Sequence, residues 1–264
     1  MSNQKPTSGG LKSIFASLAI LIALLIGVFI YLVILGDASN FDAEGHPLPG
    51  NYLGMMYQGG FIVPILMGIF IIVVIFSIER ALTIGRAKGK GNIEAFVRKI
   101  KSLVASDNLD AAIAECDKQQ GSLANVVRSG IIKIQALKNE NMDKESRVAA
   151  IQKEIEEATA LELPMLSKNL VIISTCATIA TLWGLIGTVL GMIRSFAALS
   201  NAGAPDTTAL ATGISEALIN TALGITGSVV GIIMYNYFTT KIDAITYSMD
   251  EAGFTIVQSV NVGK

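Results

Sequence analysis

Four stretches of the chain, Ser13 to Gly36, Gly59 to Ile78, Asn169 to Ile193 and Ala217 to Thr240, carry no formal charge. Each holds about 20 residues or more, enough to cross a hydrocarbon core as a helix. From Ala81 to Lys168 the pattern changes, and apolar residues return at helical spacing: Ile93, Phe96, Val97, Ile100 and Val104, then Leu109 and Ile113, then Leu123, Val126, Val127, Ile131, Ile134 and Leu137. Capping residues mark the breaks, with Asp107 and Asn108 before one helix, Gly121 and Ser122 between two, and Asn139 to Asp143 before the last. Val148, Ile151, Ile155 and Ala158 keep the helical period toward the third apolar stretch, so a near-continuous helix is predicted there, kinked at Pro164. No β-hairpin signal interrupts the series. The predicted fold is all-α: a polytopic membrane protein with four transmembrane helices, a helical extramembrane domain and long helices extending from the membrane.

Composition supports the membrane assignment. The chain is 52% hydrophobic and 16% charged, with a mean hydropathy of +0.56, too apolar for an ordinary soluble domain. Lys and Arg set the orientation, because cytoplasmic flanks retain them. Asp37 to Gln58 and Ala197 to Glu216 contain neither, whereas Lys5 and Lys12, then Arg80, Arg86, Lys88, Lys90, Arg98, Lys99 and Lys101, and finally Lys241 flank the spans on the opposite side. The predicted order is therefore a cytoplasmic amino terminus and first helix (1–36), a periplasmic loop (37–58), a second helix (59–80), a helical cytoplasmic domain (81–168), a third helix (169–196), a periplasmic loop (197–212), a fourth helix (213–240) and a cytoplasmic tail (241–264). The first span exceeds the roughly 7–15 residues of a signal-peptide core and is expected to be retained. A net charge of −1 gives no reason to expect a nucleic-acid partner. Cys116 and Cys176 have no disulfide or metal spacing, the single histidine is His46, and no phosphate-binding glycine loop occurs. No enzyme site, cofactor or metal is expected.

The four spans differ in composition. The first two are rich in Leu and Ile, with Leu18, Ile20, Leu21, Ile22, Leu24, Leu25 and Ile26 in one and Ile69, Ile71, Ile72, Val73, Val74 and Ile75 in the other, and are expected to face lipid. The third carries Ser174, Thr181, Thr188 and Ser195 at seven-residue intervals, and Ala177, Gly184, Gly191 and Ala198 at the same interval beside them. A seven-residue step drifts only about 20° around a helix, so each series keeps to one face. In the fourth, Gly213, Glu216, Asn220, Gly224, Gly227 and Gly231 fall within an arc of roughly 80°, with Thr221 and Ser228 adjoining. Ile219, Leu223, Val229, Val230 and Ile233 take the opposite side. Small residues let helices approach closely in lipid, so these faces are meant to be covered by protein. The residues alone leave two uses open: transport or packing for the glycine stripe, and partner contact or bonding to their own i−4 carbonyls for Thr188 and Thr221. Glu216 is either a functional carboxylate or a headgroup-level residue.

"GLIGTVLGMIRSF" (184–196) and "GISEALINTALGITGSVVGIIMYNY" (213–237) resemble the last two membrane helices of the ExbB/TolQ family. "FSIERALTIGRA" (76–87) is similar to the cytoplasmic exit of that family's earlier helix, and "LDAAIAECDKQQGSLANVVRSGI" (109–131) to its cytoplasmic domain. The resemblance covers about Gly59 to Tyr247. It implies a ring-forming subunit of a proton-motive-force-driven motor in the bacterial inner membrane, not an enzyme. Copies would form a pentamer around a dimer of a single-span ExbD/TolR-like partner that carries a membrane aspartate, and the work would pass to a TonB-like or Pal-linked system. The family's helix threonines map onto Thr188 and Thr221 and its helix glutamate onto Glu216, and these three, with Thr181 and Asn220 on the same polar faces, are the expected proton-pathway and partner-facing residues. Consistently, no span of this chain contains Asp. ExbB and TolQ typically have three spans with the amino terminus outside, whereas this chain adds Lys12 to Gly36; the count of four instead resembles MotA, the flagellar stator relative. A secondary transporter and a structural scaffold are the remaining alternatives, although the sequence shows no inverted repeat.

Overall fold

A computed structural model describes residues 9–138, 140–200 and 206–262. Lys5, Asn139, positions 201–205 of the second basic-free loop and the last two residues of the tail lie outside the described residues. The elements run α1 (Gly9–Phe29), α2 (Tyr52–Tyr57), α3 (Ile62–Ala87), α4 (Ile93–Ala105), α5 (Leu109–Gln119), α6 (Gly121–Leu137), α7 (Lys144–Ser167), α8 (Leu170–Ser200) and α9 (Thr207–Val262), with no strand among the described residues. Four stretches are helical, long and apolar enough to cross a membrane: Ala16–Leu35, Ile62–Ala87, Lys144–Ser200 and Thr207–Val260. The chain is thus an all-α polytopic membrane protein. It divides into two units, the first comprising Met1–Ile78 and Val171–Tyr235, the second Glu79–Leu170 and Asn236–Lys264.

In the first unit α1 ends in a π-helical turn, Ile30–Leu35. The buried Asn40 closes that turn, its Nδ2 donating to the carbonyls of Ile34 (2.9 Å) and Leu35 (3.1 Å). The segment expected to be a loop, 37–58, is built: a 3-10 turn at Ala38–Asn40 and α2 follow, and Tyr57 stacks on Tyr31 with ring centroids 4.7 Å apart. α1 meets α3 where Gly27 faces Gly68, so closely that a Cβ on Gly27 would lie 2.7 Å from the Gly68 nitrogen.

The second apolar span is two-sided. Ile62, Val63, Leu66, Ile69, Ile72, Val73 and Phe76 of α3 are buried, whereas Phe61, Phe70, Val74 and Ile78 are exposed, as are Leu18, Leu21, Leu25 and Phe29 of the first span. Leu- and Ile-rich surface suits lipid and protein neighbours equally, so composition does not separate them.

The second unit buries the predicted helical faces. Phe96, Ile100 and Val104 of α4, Leu109, Ala112 and Cys116 of α5, and Leu123, Val126, Val127 and Ile131 of α6 form its core with Ile151 and Ile155 of α7. Burial pushes the Cys116 thiol up to about 12, which leaves it protonated and inert at neutral pH. Side-chain caps stand where the sequence places them, Asn108 accepting from Ala111 N and Asp143 from Ser146 N. Asn92, not singled out in the sequence, caps α4 in the same way.

Two outcomes differ from expectation. The helix predicted to be near-continuous is interrupted at Lys168 and Asn169, the latter left-handed at φ 66°, and Pro164 lies inside α7. Lys168 N still donates to the Pro164 carbonyl. The C-terminal stretch expected as a tail continues α9 to Val262, with Phe238, Ile242, Ile245, Met249 and Ile256 buried in the second unit.

Candidate functional site

The site lies in the first unit, where α8 and the amino-terminal half of α9 run antiparallel at near-backbone contact. A Cβ added to Gly224 would come within 2.7 Å of the Ala180 carbonyl and 2.9 Å of Gly184 Cα. One on Gly191 would meet Gly213 O at 2.6 Å and Ala217 N at 2.8 Å, and one on Gly231 would meet Ala177 Cβ at 2.7 Å. The small-residue seam read from the sequence is therefore covered by the chain itself: Ala177 faces Gly231, Gly184 faces Gly224 and Gly191 faces Ala217. Gly227 is looser, its nearest neighbour being Ala180 Cβ at 3.5 Å.

Beside this seam the helices bring polar groups together. The Thr188 and Thr221 hydroxyls contact each other, and Thr188 Oγ1 also lies 3.2 Å from the Gly184 carbonyl. Both threonines are half-buried. A hydroxyl both donates and accepts, so the pair has two consistent arrangements. With Thr188 donating to Gly184, Thr221 donates to Thr188; with the Thr188 proton turned to Thr221, the Thr221 proton is released to a third group. The pair can therefore present a donor or an acceptor to a neighbouring carboxyl without moving a heavy atom.

One helical turn farther toward the amino end of α9, Arg194 Nη1 lies 2.6 Å from each carboxylate oxygen of Glu216. The acid is buried, with 5% of its side chain exposed, whereas the arginine is 54% exposed. Gly60 closes the third side of the carboxylate. It has φ +72°, and a Cβ there would stand 2.8 Å from Glu216 Oε1, so glycine is needed for both conformation and space. The adjacent Asn220 is fully buried, its Nδ2 donating to the Gly59 carbonyl at 2.9 Å. Its Oδ1 meets no donor of the described protein. Gly187 makes room for it, since a Cβ at 187 would lie 2.4 Å from Asn220 Cβ.

Of the sequence-derived candidates, the structure brings Thr188 and Thr221 together and sets Glu216 and Asn220 on one buried face of α9. The Glu216 carboxylate and the Asn220 Nδ2 are bonded to groups of their own chain, while the Asn220 Oδ1 is unpaired among the described residues. Thr181 stands exposed one helical repeat away on α8. The glycines at 184, 191, 224 and 231 are interhelical spacers. The sequence reading did not assign Gly59, Gly60, Gly187 or the pairing of Arg194. Gly187 stands outside the seven-residue step that drew attention to its neighbours, and a backbone carbonyl such as that of Gly59 leaves no residue signature.

Comparison with known proteins follows the same residues. The family model described as the MotA/TolQ/ExbB proton channel family matches residues 119–251, which include both threonines and Glu216. The chain is 36% identical over 86 residues to the ExbB-like 3 biopolymer transport protein of Synechocystis sp., covering 32% of this chain and 41% of that one. It is 25% identical over 167 residues to the biopolymer transport protein ExbB of Pseudomonas putida, covering 62% and 51%. To the Tol-Pal system protein TolQ of Haemophilus influenzae it is 31% identical over 117 residues, covering 44% and 51%. The chain spans about half the length of these curated relatives.

Proposed function

We propose, because the chain belongs to the MotA/TolQ/ExbB proton channel family, that it is the ring-forming subunit of a proton-motive-force-driven transducer, working by force transmission and not as an enzyme. In this reading α1, α3, α8 and α9 cross the bacterial inner membrane with both termini and residues 81–168 in the cytoplasm. Several copies, five by family resemblance, enclose a dimer of a single-span ExbD/TolR-like partner. The partner's membrane aspartate takes up and releases protons, and its movement drives a TonB-like or Pal-linked system. The single observation that carries the reading is the Thr188 and Thr221 hydroxyl contact, half-buried at the edge of the glycine seam.

The geometry supports a division of labour. Thr188 and Thr221, with Thr181 on the exposed side of α8, are the groups that face the partner and serve both protonation states of its carboxyl. Glu216 and Asn220 are positioning residues, the first holding Arg194 and the second tying α9 to the Gly59 turn. Each proton carried through 100 mV contributes about 2.3 kcal/mol, so work is delivered in repeated small steps.

The test is to co-express the chain with its single-span partner, reconstitute the complex and measure proton uptake into vesicles. Thr188→Ala together with Thr221→Ala is expected to leave subunit composition unchanged by native mass and to abolish uptake. Wild-type uptake by a complex of normal composition would remove the hydroxyl pair from the pathway. The four candidate spans favour a second reading, a MotA-like stator. Under it, deletion of the gene stops swimming; under the first, deletion leaves motility intact and impairs the envelope client.

A further inference from the structure

In the second unit the last turns of α3 and the middle of α9 enclose a cleft of about 350 Å³, separate from the threonine site. Ile84, Phe238 and Ile245 supply apolar wall, and Lys88, Lys241 and Tyr237 stand at its edge. No acidic residue lines it. Neither lysine is within ion-pair distance of a carboxylate among the described residues, and Lys241 Nζ lies 5.5 Å over the Tyr237 ring. Gly85 also lines the cleft, and a Cβ built on it meets nothing within 4 Å. At Gly224 and Gly231 of α9 an added Cβ would strike a neighbouring helix, whereas at Gly85 it borders open space.

The place of the cleft along each helix decides what fills it. The charge-free run of α3 ends at Ile78 and that of α9 at Thr240. At 1.5 Å per residue, the lysines stand roughly 2–15 Å past those ends, the depth of headgroups and of the aromatic and lysine anchors found there.

We propose that this cleft binds one anionic phospholipid, with the start of an acyl chain along Ile84, Phe238 and Ile245 and the phosphate ester between Lys88 and Lys241. Two cations and no acid select a net negative headgroup over a zwitterionic one. The apolar floor selects a lipid over free phosphate. The volume takes a glycerol phosphate and the first carbons of a chain, and the remainder of the chain extends into the bilayer.

Binding of dihexanoylphosphatidylglycerol, dihexanoylphosphatidylcholine and inorganic phosphate to the purified full chain, followed by native mass and by thermal midpoint, tests this. The expected result is one phosphatidylglycerol per protomer, bound at least tenfold more tightly than phosphatidylcholine, and no saturable phosphate binding. Lys88→Gln with Lys241→Gln is expected to erase the tenfold preference. Gly85→Phe, whose Cβ meets nothing within 4 Å and whose ring is sized to occupy the cleft, is expected to abolish binding of both lipids. Equal affinity for the two lipids in the wild type, unchanged binding in both variants, or phosphate binding as tight as phosphatidylglycerol would each overturn the proposal.

Discussion

Arg194 holds Glu216 through one guanidinium nitrogen placed 2.6 Å from both carboxylate oxygens, and the two partners are unequally buried. The acid is enclosed by α9, α8 and Gly60, whereas the base reaches in from the exposed side. Removing the base therefore leaves an uncompensated buried charge, while neutralising the acid leaves an exposed arginine that water can solvate. Arg194→Ala is expected to destabilise the protein by about 3 kcal/mol, the lower end for breaking a buried pair because Arg194 is half-exposed. Glu216→Gln is expected to cost less than half of that while still impairing output. Unfolding midpoints in detergent read the order, and a larger loss for Glu216→Gln would show that the pair is not the main support of the carboxylate.

Gly224 and Gly227 offer a matched comparison on one face of α9. Gly224→Ala places a methyl against backbone atoms of Ala180 and Gly184, which cannot yield without parting the helices. A cost of about 1–3 kcal/mol is expected. Gly227→Ala enters ordinary contact distance from Ala180 Cβ and is expected to be neutral or slightly stabilising, since alanine is the better helix former. Denaturation in mixed micelles distinguishes them, and similar losses for both would contradict the close approach at Gly224.

Interhelical hydrogen bonds in membrane proteins contribute on average about 0.6 kcal/mol. Thr188→Ala and Thr221→Ala are therefore expected to lower stability by less than about 1 kcal/mol each, with a small coupling between them in a double-mutant cycle. Proton uptake is expected to fall by orders of magnitude in the same proteins. If activity and stability decline in proportion, the hydroxyls serve packing alone.

Arg80 is buried, its Nη1 donating to the Leu166 carbonyl at 3.2 Å while Nε and Nη2 grip Glu79 at 2.6 and 2.5 Å. Glu79 also accepts from Thr83 and Asn169, which joins α3 to the break between α7 and α8. Arg80→Ala leaves the last carbonyls of α7 without their donor and Glu79 with only Thr83 and Asn169, at an expected loss of about 3 kcal/mol, the lower end for a broken buried pair because Glu79 is partly exposed. Arg80→Lys is expected to recover little, because a single ammonium cannot make the forked contact. Hydrogen exchange at the amides of Lys168 and Asn169 gives the local readout.

In the second unit a hydrogen bond from Lys99, 2.8 Å away, holds the Glu115 carboxyl below the usual carboxylate range. A folded pKa below the unfolded one means that the unfolded chain binds the extra proton. The pair therefore stabilises the unit above the ordinary glutamate pKa and ceases to do so as pH falls through the depressed value. Glu115→Gln is expected to flatten that acidic limb of the stability profile and leave its slope near neutrality unchanged. An identical acid limb in the variant would assign it to other carboxylates.

Charge-free length and helical period suffice to read the four spans and the helical domain, because the hydrophobic effect writes both directly into the pattern of residues. The glycine seam is legible as a covered face. What covers it is not: Gly184 meets Gly224 of the same chain, and small residues bear no mark of which helix approaches. Ile69, Ile72 and Val73 suggest lipid and are buried in protein, since both environments accept the same side chains. The interruption at Asn169 is not announced by the apolar period, because α7 keeps its hydrogen bonds up to Lys168 N and asparagine then tolerates the left-handed conformation. The threonine contact and the Arg194 pair depend on the antiparallel register of α8 and α9, a property of neither helix alone.

That register has a mechanical corollary. Its pairings advance by seven residues along α8 and retreat by seven along α9, from Ala177 with Gly231 through Gly184 with Gly224 to Gly191 with Ala217. A repeat of seven on a helix of about 3.6 residues per turn is kept in face only by a left-handed supercoil. The two helices thus mesh like a screw thread. One residue inserted between Ala217 and Leu218 would advance the thread by about 100°, bringing Leu223 and Val230 to the positions that only glycine fills and carrying Thr221 out of phase with Thr188.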